Sequence, residues 1–166
     1  MVPPDAGSRG LRAGRPRLGG REVAPIPARS SPAVSKKRVL FVCIGNSCRS
    51  QMAEGFVRAY GVDVISPRSS GVSPATMIAP LTKQVLGERN IDISHNFPKA
   101  FDGTNREAFE LVVNMTGGPL ALRGAKVINW NVPDPIGQKE AIYREVASLI
   151  EALVMRLILD VRNGIL

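Results

Sequence analysis

The sequence predicts an α/β protein in which a parallel sheet is sandwiched between helices. Three observations carry that prediction. Short runs such as Val39–Val42, Leu111–Val113 and Val127–Asn129 have the length and apolar character of buried strands. Other stretches repeat apolar residues at helical spacing. The two patterns alternate along the chain, which favours parallel strands joined by right-handed helical crossovers.

In order, the first strand is Val39-Leu40-Phe41-Val42, followed by a loop containing Gly45 and Asn46. A helix begins near Ser50, with Met52, Ala53, Phe56, Val57 and Tyr60 on its apolar face. A second strand is expected at Val62–Ile65, leading into Ser69-Ser70-Gly71, and a helix over Pro80–Glu88. After the strands at Leu111 and Val127, a long helix spans about Gln138–Val161. Its buried stripe is read as Ile142, Val146, Leu149, Ile150, Leu153, Leu157 and Ile158.

The chain of 166 residues is long enough for one domain with a real core. Its net charge of +8 is unevenly placed. Residues 1–38 hold nine basic and two acidic residues, whereas the remaining 128 hold thirteen and twelve. The basicity belongs to the tail, so the domain gives no electrostatic reason to expect nucleic acid as a partner. Residues 1–36 are Pro-, Gly- and Arg-rich and are expected to be a disordered tail, with the catalytic domain over 37–166. The tail is loosely like a transit peptide but lacks amphipathic periodicity, and the native protein is hypothesised to begin near Val34. No apolar run approaches the roughly 20 residues of a membrane span. Cys43 and Cys48 have no other cysteine to pair with, which points to a reducing, cytoplasmic setting.

The chemistry is concentrated in Cys43-Ile44-Gly45-Asn46-Ser47-Cys48-Arg49-Ser50, a loop between a buried strand and a helix. Backbone N–H groups in such a loop bind oxyanions, assisted by the helix dipole. Gly45 and Asn46 tolerate the backbone angles this cradle needs. Arg49 offers a planar fork to a tetrahedral anion. A cysteine beside a helix N-terminus and a cation ionises more readily than a free thiol. Cys43 is therefore read as the nucleophile, with the Ser50 hydroxyl supporting its thiolate. Ile44, Gly45, Asn46, Ser47, Cys48 and Arg49 form the phosphate cradle. The loop Asn131–Gly137, stiffened by Pro133 and Pro135, presents Asp134 as general acid. A cysteine shortly before an arginine is weak evidence alone, and an aspartate between prolines is often only a turn.

Val39–Ser50 closely resembles the signature of the low-molecular-weight protein tyrosine phosphatases and of the arsenate reductases that share their fold. Asp134-Pro135, Ser69-Ser70-Gly71-Val72 and Ile91–His95 resemble later segments of that family in order and spacing. The resemblance implies a three-layer α/β/α sandwich with a four-stranded parallel sheet. It also implies a phosphocysteine intermediate, with no metal and no cofactor. It assigns Asn46, Ser69 and His95 to a network that props the loop.

Within that family, Gly45–Gly55 and Trp130 look most like the arsenate reductases. Thr116 stands where the resemblance would place a relay cysteine, and no cysteine follows Cys48. A disulfide relay needs thiols, so arsenate reduction would require an external thiol or Cys48 as resolving partner. The phosphatase branch also departs from its pattern, with Ile136-Gly137 and Ser73–Met77 lacking the aromatics that would hold a phosphotyrosine ring. Cys48 is either a reversible disulfide partner for Cys43 or a small apolar filler.

On these residues a phosphomonoester phosphatase ranks first, acting on a phosphorylated protein or small phosphomonoester. Arsenate reduction with a thiol donor ranks second. A catalytically weak anion-binding module ranks third, against which the complete set Cys43, Arg49, Ser50 and Asp134 speaks.

Overall fold

The computed structural model describes residues 35–102, 109–120, 122 and 124–166. The tail expectation falls almost wholly on residues 1–34, outside the described residues. Strand β1 (Lys37–Cys43) is followed by helix α1 (Arg49–Tyr60), β2 (Ile65–Gly71), α2 (Pro80–Gly87), β3 (Leu111–Asn114), β4 (Lys126–Asn129) and α3 (Glu140–Arg162). The strands form one sheet in the order β2-β1-β3-β4, every pair parallel. Pairing aligns Cys43 with Gly71, Val42 with Asn114, and Asn114 with Asn129. The carboxyl ends of all four strands therefore share one edge, where ligands bind in open α/β sheets.

A large core lies on one face, where Val39, Phe41, Ile65 and Val113 meet Phe56, Val57, Ile150, Val154 and Ile158 from α1 and α3. The opposite face carries a smaller core of Leu40, Val42 and Val112, covered by Phe101, Phe109, Leu120 and Leu122. Both faces of the parallel sheet are covered, consistent with the three-layer α/β/α sandwich that the resemblance implies, although among the described residues the three helices meet in the larger core and connecting segments cover the smaller one. Among the described residues no helix is long and apolar enough to cross a membrane.

The second strand differs from expectation. It runs over Ile65–Gly71 rather than Val62–Ile65. The N–H groups of Val64 and Ile65 both donate to the Gly61 carbonyl, which makes the earlier segment a turn off α1. The true strand, Ile-Ser-Pro-Arg-Ser-Ser-Gly, is poor in apolar residues because it is an edge strand, a position that also tolerates Pro67.

In α3, Leu149 is 40 % exposed, and the buried stripe is completed instead by Tyr143, Ala147 and Val154. In α1, Tyr60 is exposed, whereas the nine consecutive residues Arg49–Val57 are all buried. The start of α1 is thus enclosed on every side, and its polar residues must find partners inside the protein.

Candidate active site

The loop between β1 and α1 is held open by its own carbonyls. Those of Cys43, Ile44, Gly45 and Ser47 accept from the N–H groups of Val72, Ser73, Ala75 and Ala79, at 2.9–3.1 Å. In a trans peptide the following N–H points opposite to the carbonyl. The amides of Ile44, Gly45, Asn46 and Cys48 are thereby turned away from segment 72–79 and toward the inside of the loop. The Asn46 N–H demonstrates it by donating to Cys43 Sγ at 3.3 Å. Ser47 strengthens the same attachment, donating from Oγ to the Met77 carbonyl and accepting from the Ala79 N–H.

Gly71, paired with Cys43 at the sheet edge, lets the loop sit this close. A Cβ there would lie 2.6 Å from Asn46 N and 2.7 Å from the Ile44 carbonyl oxygen. Asn46 adopts φ of +48°, the left-handed region that Asn enters more readily than most residues.

Cys43 Sγ lies 3.0 Å from Ser50 Oγ, and Asn46 Nδ2 donates to that same hydroxyl oxygen at 2.8 Å. With Asn46 occupying an acceptor position, the single Ser50 hydrogen is available to a sulfur anion. The sulfur thus lies within hydrogen-bond distance of one hydroxyl and one amide N–H, at the N-terminus of a twelve-residue helix.

Arg49 is only 5 % exposed. Its Nη1 donates to the carbonyls of Met115 and Val132, which fixes the guanidinium between the ends of β3 and β4. Its Nη2 pairs with Asp134 Oδ2 at 2.6 Å. Nε–H and one Nη2 hydrogen take no partner among the described residues, leaving part of the fork for an oxyanion. The other Asp134 oxygen accepts from the Ile136 N–H, so the carboxylate is oriented by its own loop as well as by Arg49.

Residues 38–164 match the family described as "Low molecular weight phosphotyrosine protein phosphatase". The chain belongs to that family. The chain is 32 % identical over 127 residues to "Glutaredoxin arsenate reductase" of Synechocystis sp., covering 74 % of this chain and 96 % of that protein. It is 31 % identical to "Arsenate reductase 1" of Bacillus cereus, covering 74 % and 94 %. Among solved structures, "An arsenate reductase in the phosphate binding state" superposes with a TM-score of 0.69 at 31 % identity, covering 75 % and 98 %. "YwlE arginine phosphatase from Geobacillus stearothermophilus" superposes with a TM-score of 0.68 at 25 % identity, covering 77 % and 94 %. The chain is thus similar both to proteins named for arsenate reduction and to one named as a phosphatase.

The loop support differs from the one that the resemblance implies. Ser69 is buried, but its hydroxyl donates to Glu54 Oε2 rather than to the loop. His95 lies in an exposed turn and faces Asp92 electrostatically, so it does not prop the loop. The support comes from Gln51 instead. Fully buried, it donates from Nε2 to Asn46 O, Asn46 Oδ1 and the Phe97 carbonyl, and accepts from Asn96 Nδ2. The Lys99 N–H adds a bond to Asn46 Oδ1 at 2.8 Å. Sequence reasoning missed Gln51, Asn96 and Lys99. The available signal was Gln51 itself, an uncharged polar residue beside Met52 in a helix packed at its start.

Cys48 is 2 % exposed and free, and burial pushes its thiol pKa up to about 12. Among the described residues no cluster of three His, Cys, Asp or Glu side chains could hold a metal ion.

Proposed function

We propose that this chain reduces arsenate, with Cys43 as nucleophile and the electrons supplied by an external thiol. The observation that carries the reading is Cys43 Sγ, held by Ser50 and Asn46 beneath inward-facing amides with the Arg49 fork alongside. That arrangement suits a tetrahedral oxyanion and nucleophilic attack upon it. The residues alone rank phosphomonoester hydrolysis first. The relatives named arsenate reductases favour the second reading, and so do the walls. Ile136 and the segment Ser73–Met77 provide no aromatic face for a ring. A bare oxyanion needs none.

The thiol must come from outside. No cysteine follows Cys48 in the sequence. Cys48 keeps its proton at neutral pH, whereas the thiolate is the nucleophile in disulfide exchange. In the first step Cys43 displaces an arsenate oxygen, which leaves as water with a proton from Asp134. An external thiolate then attacks Cys43 Sγ, and the S–As electron pair stays on arsenic, giving arsenite and a mixed disulfide. A second thiol releases Cys43.

Phosphomonoester hydrolysis remains a second reading, supported by Asp134. Its carboxyl is held at the sheet's carboxyl edge beside Arg49, where it can protonate an ester oxygen and then activate water. One assay pair separates the readings: arsenate-dependent thiol oxidation and p-nitrophenyl phosphate hydrolysis, each with Cys43→Ser as control. Cys43-dependent thiol oxidation is the expected result. Hydrolysis without arsenate turnover for any thiol would replace the first reading with the second.

A further inference from the structure

The face of the sheet that carries the smaller core also holds a cavity of about 170 Å³. Its lining includes Leu40, Arg68, Ser69, Ser70, Lys99 and Phe109, and among the described residues none of 43–50. Register explains which side chains reach it. Arg68 pairs with Leu40 and Ser70 with Val42, and both of those β1 residues belong to the smaller core. Paired residues on neighbouring strands share a face, so Arg68 and Ser70 point to this side. Ser69 points the other way, to Glu54, and meets the cavity with its backbone.

Three hydrogen-bond donors there are unused. The Ser70 hydroxyl is the first. The residue is only 5 % exposed, and its Oγ has no partner among the described residues. Buried polar atoms are nearly always paired, so an unpaired one at a cavity wall marks a place for a ligand that brings an acceptor. The Ser69 N–H is the second. Gly71 turns its N–H and carbonyl outward, to Lys99 O and the Phe101 N–H. Backbone groups alternate between the two edges of a strand, so Ser69 also faces outward, where its N–H takes no partner among the described residues. Arg68 is the third, an exposed guanidinium in no ion pair among the described residues.

Charge and size set the class of ligand. Arg68 and Lys99 outweigh Asp102 in the lining. Lys99 contributes only its field, because its ammonium already donates to the Phe97 carbonyl and lies 3.8 Å from Glu54. The guanidinium fork, the hydroxyl and the amide offer four hydrogens on three groups, which suits an anion with three or more oxygens better than a carboxylate. The volume falls below the roughly 300–1,000 Å³ of organic-ligand sites, but holds an oxyanion with a few waters.

We propose that this cavity binds a small tetrahedral oxyanion, of which inorganic phosphate is the representative, at a second site apart from the loop. The site uses neither Cys43 nor Arg49, so it stands independently of the reaction proposed above. The strap 99–101 that borders it holds Gly71 through two backbone bonds and Asn46 Oδ1 through the Lys99 N–H. The second anion thus adjoins the support of the loop rather than the loop itself.

Carboxymethylation of Cys43 with iodoacetate fills the loop and leaves the second site as the reporter. Calorimetric titration with inorganic phosphate should give two sites in the untreated protein and one in the carboxymethylated protein. Carboxymethylated Arg68→Gln and Ser70→Ala should each bind phosphate at least about tenfold more weakly. The untreated variants should keep the loop site and the wild-type kcat. Ser70→Ala needs no new room. In anion-free buffer it should be at least as stable in urea as the wild type, because it removes an unpaired buried hydroxyl. Phosphate should then stabilise the carboxymethylated wild type and not the carboxymethylated variant.

No phosphate binding to the carboxymethylated protein overturns the proposal. So does binding that neither substitution weakens, which would place the anion elsewhere. Acetate bound as tightly as phosphate would overturn the tetrahedral assignment. Failure of both turnover assays, with the second phosphate still bound and still sensitive to Arg68→Gln, would sink the function proposed above and leave this site standing.

Discussion

The two walls of the active-site edge are built differently. On one side, the loop from Cys43 to Ser50 is tied down almost atom by atom. Segment 72–79 takes its carbonyls, Gln51 and Lys99 take Asn46, and Gly71 lets the backbone sit directly on β2. On the other side, the ends of β3 and β4 meet Arg49 through two carbonyls and one carboxylate and leave an open cavity beside it. The contrast separates two kinds of information. On the function proposed above, the braced loop would hold the oxyanion, because binding by preorganised amides depends on their being fixed before the anion arrives. Among the described residues, the looser wall is fixed to the loop only through Arg49.

If that division is right, Cys43→Ser should have the largest effect of any single change. Turnover should fall by at least about 10³-fold, because a serine hydroxyl is a far weaker nucleophile at neutral pH. Phosphate or vanadate should still bind, since the amides and Arg49 are untouched. Calorimetric titration checks this, and parallel loss of binding would mean that the sulfur itself organises the loop. Asp134→Asn should follow, at about 10²-fold in kcat. The arsenate KM should not rise, because the change removes a negative charge beside Arg49. A rise in KM with kcat preserved would make Asp134 a binding residue instead.

Smaller effects should distinguish the braced loop from a merely packed one. Gly71→Ala places a methyl group against the backbone of Ile44 and Asn46, and overpacking of this kind costs about 1–3 kcal/mol. Gln51→Met keeps the volume but removes the donor shared by Asn46 and Phe97, leaving buried acceptors unsatisfied at a cost of about 1–3 kcal/mol. Both variants should lose affinity for phosphate along with stability in urea. A stable variant with unchanged anion affinity would show that the clamp is not needed to hold the cradle.

Much of this architecture was legible in the residues. The buried run Val39–Val42, the Gly-Asn loop and the following helix form one local grammar, and local grammar survives into structure. The apposition of Arg49 and Asp134, 85 positions apart, was readable only because both residues stand at strand ends, which a parallel sheet collects on one edge. The edge strand was misplaced because Ser66, Arg68, Ser69 and Ser70 carry no apolar signature, and β1 recognises them through backbone bonds. The loop supports were misassigned for a similar reason. Ser69 and Gln51 are both buried polar residues near the loop, and which one reaches Asn46 depends on how closely segment 96–99 approaches. Neither composition nor spacing encodes that approach.

Cys48 gives the finest test, because it lies in the braced loop yet is held out of its chemistry. Its thiol pKa stands at about 12 against an ordinary 9.0, with burial the largest cause and a Thr82 hydrogen bond opposing it. The folded protein therefore retains this proton between about pH 9 and 12, whereas the unfolded chain has lost it. Stability from this group is complete below pH 9 and declines as pH rises toward 12, by an amount on the order of a few kcal/mol. The difference in urea stability between wild type and Cys48→Ala should accordingly be constant from pH 6 to 8 and shrink at higher pH. At neutral pH, iodoacetamide should label Cys43 and leave Cys48 unmodified, as mass spectrometry of the peptides would show. Labelling of both at similar rates, or a disulfide between them forming readily under mild oxidation, would mean that the buried thiol reaches the nucleophile after all. The resolving thiol would then lie within the loop rather than outside the chain.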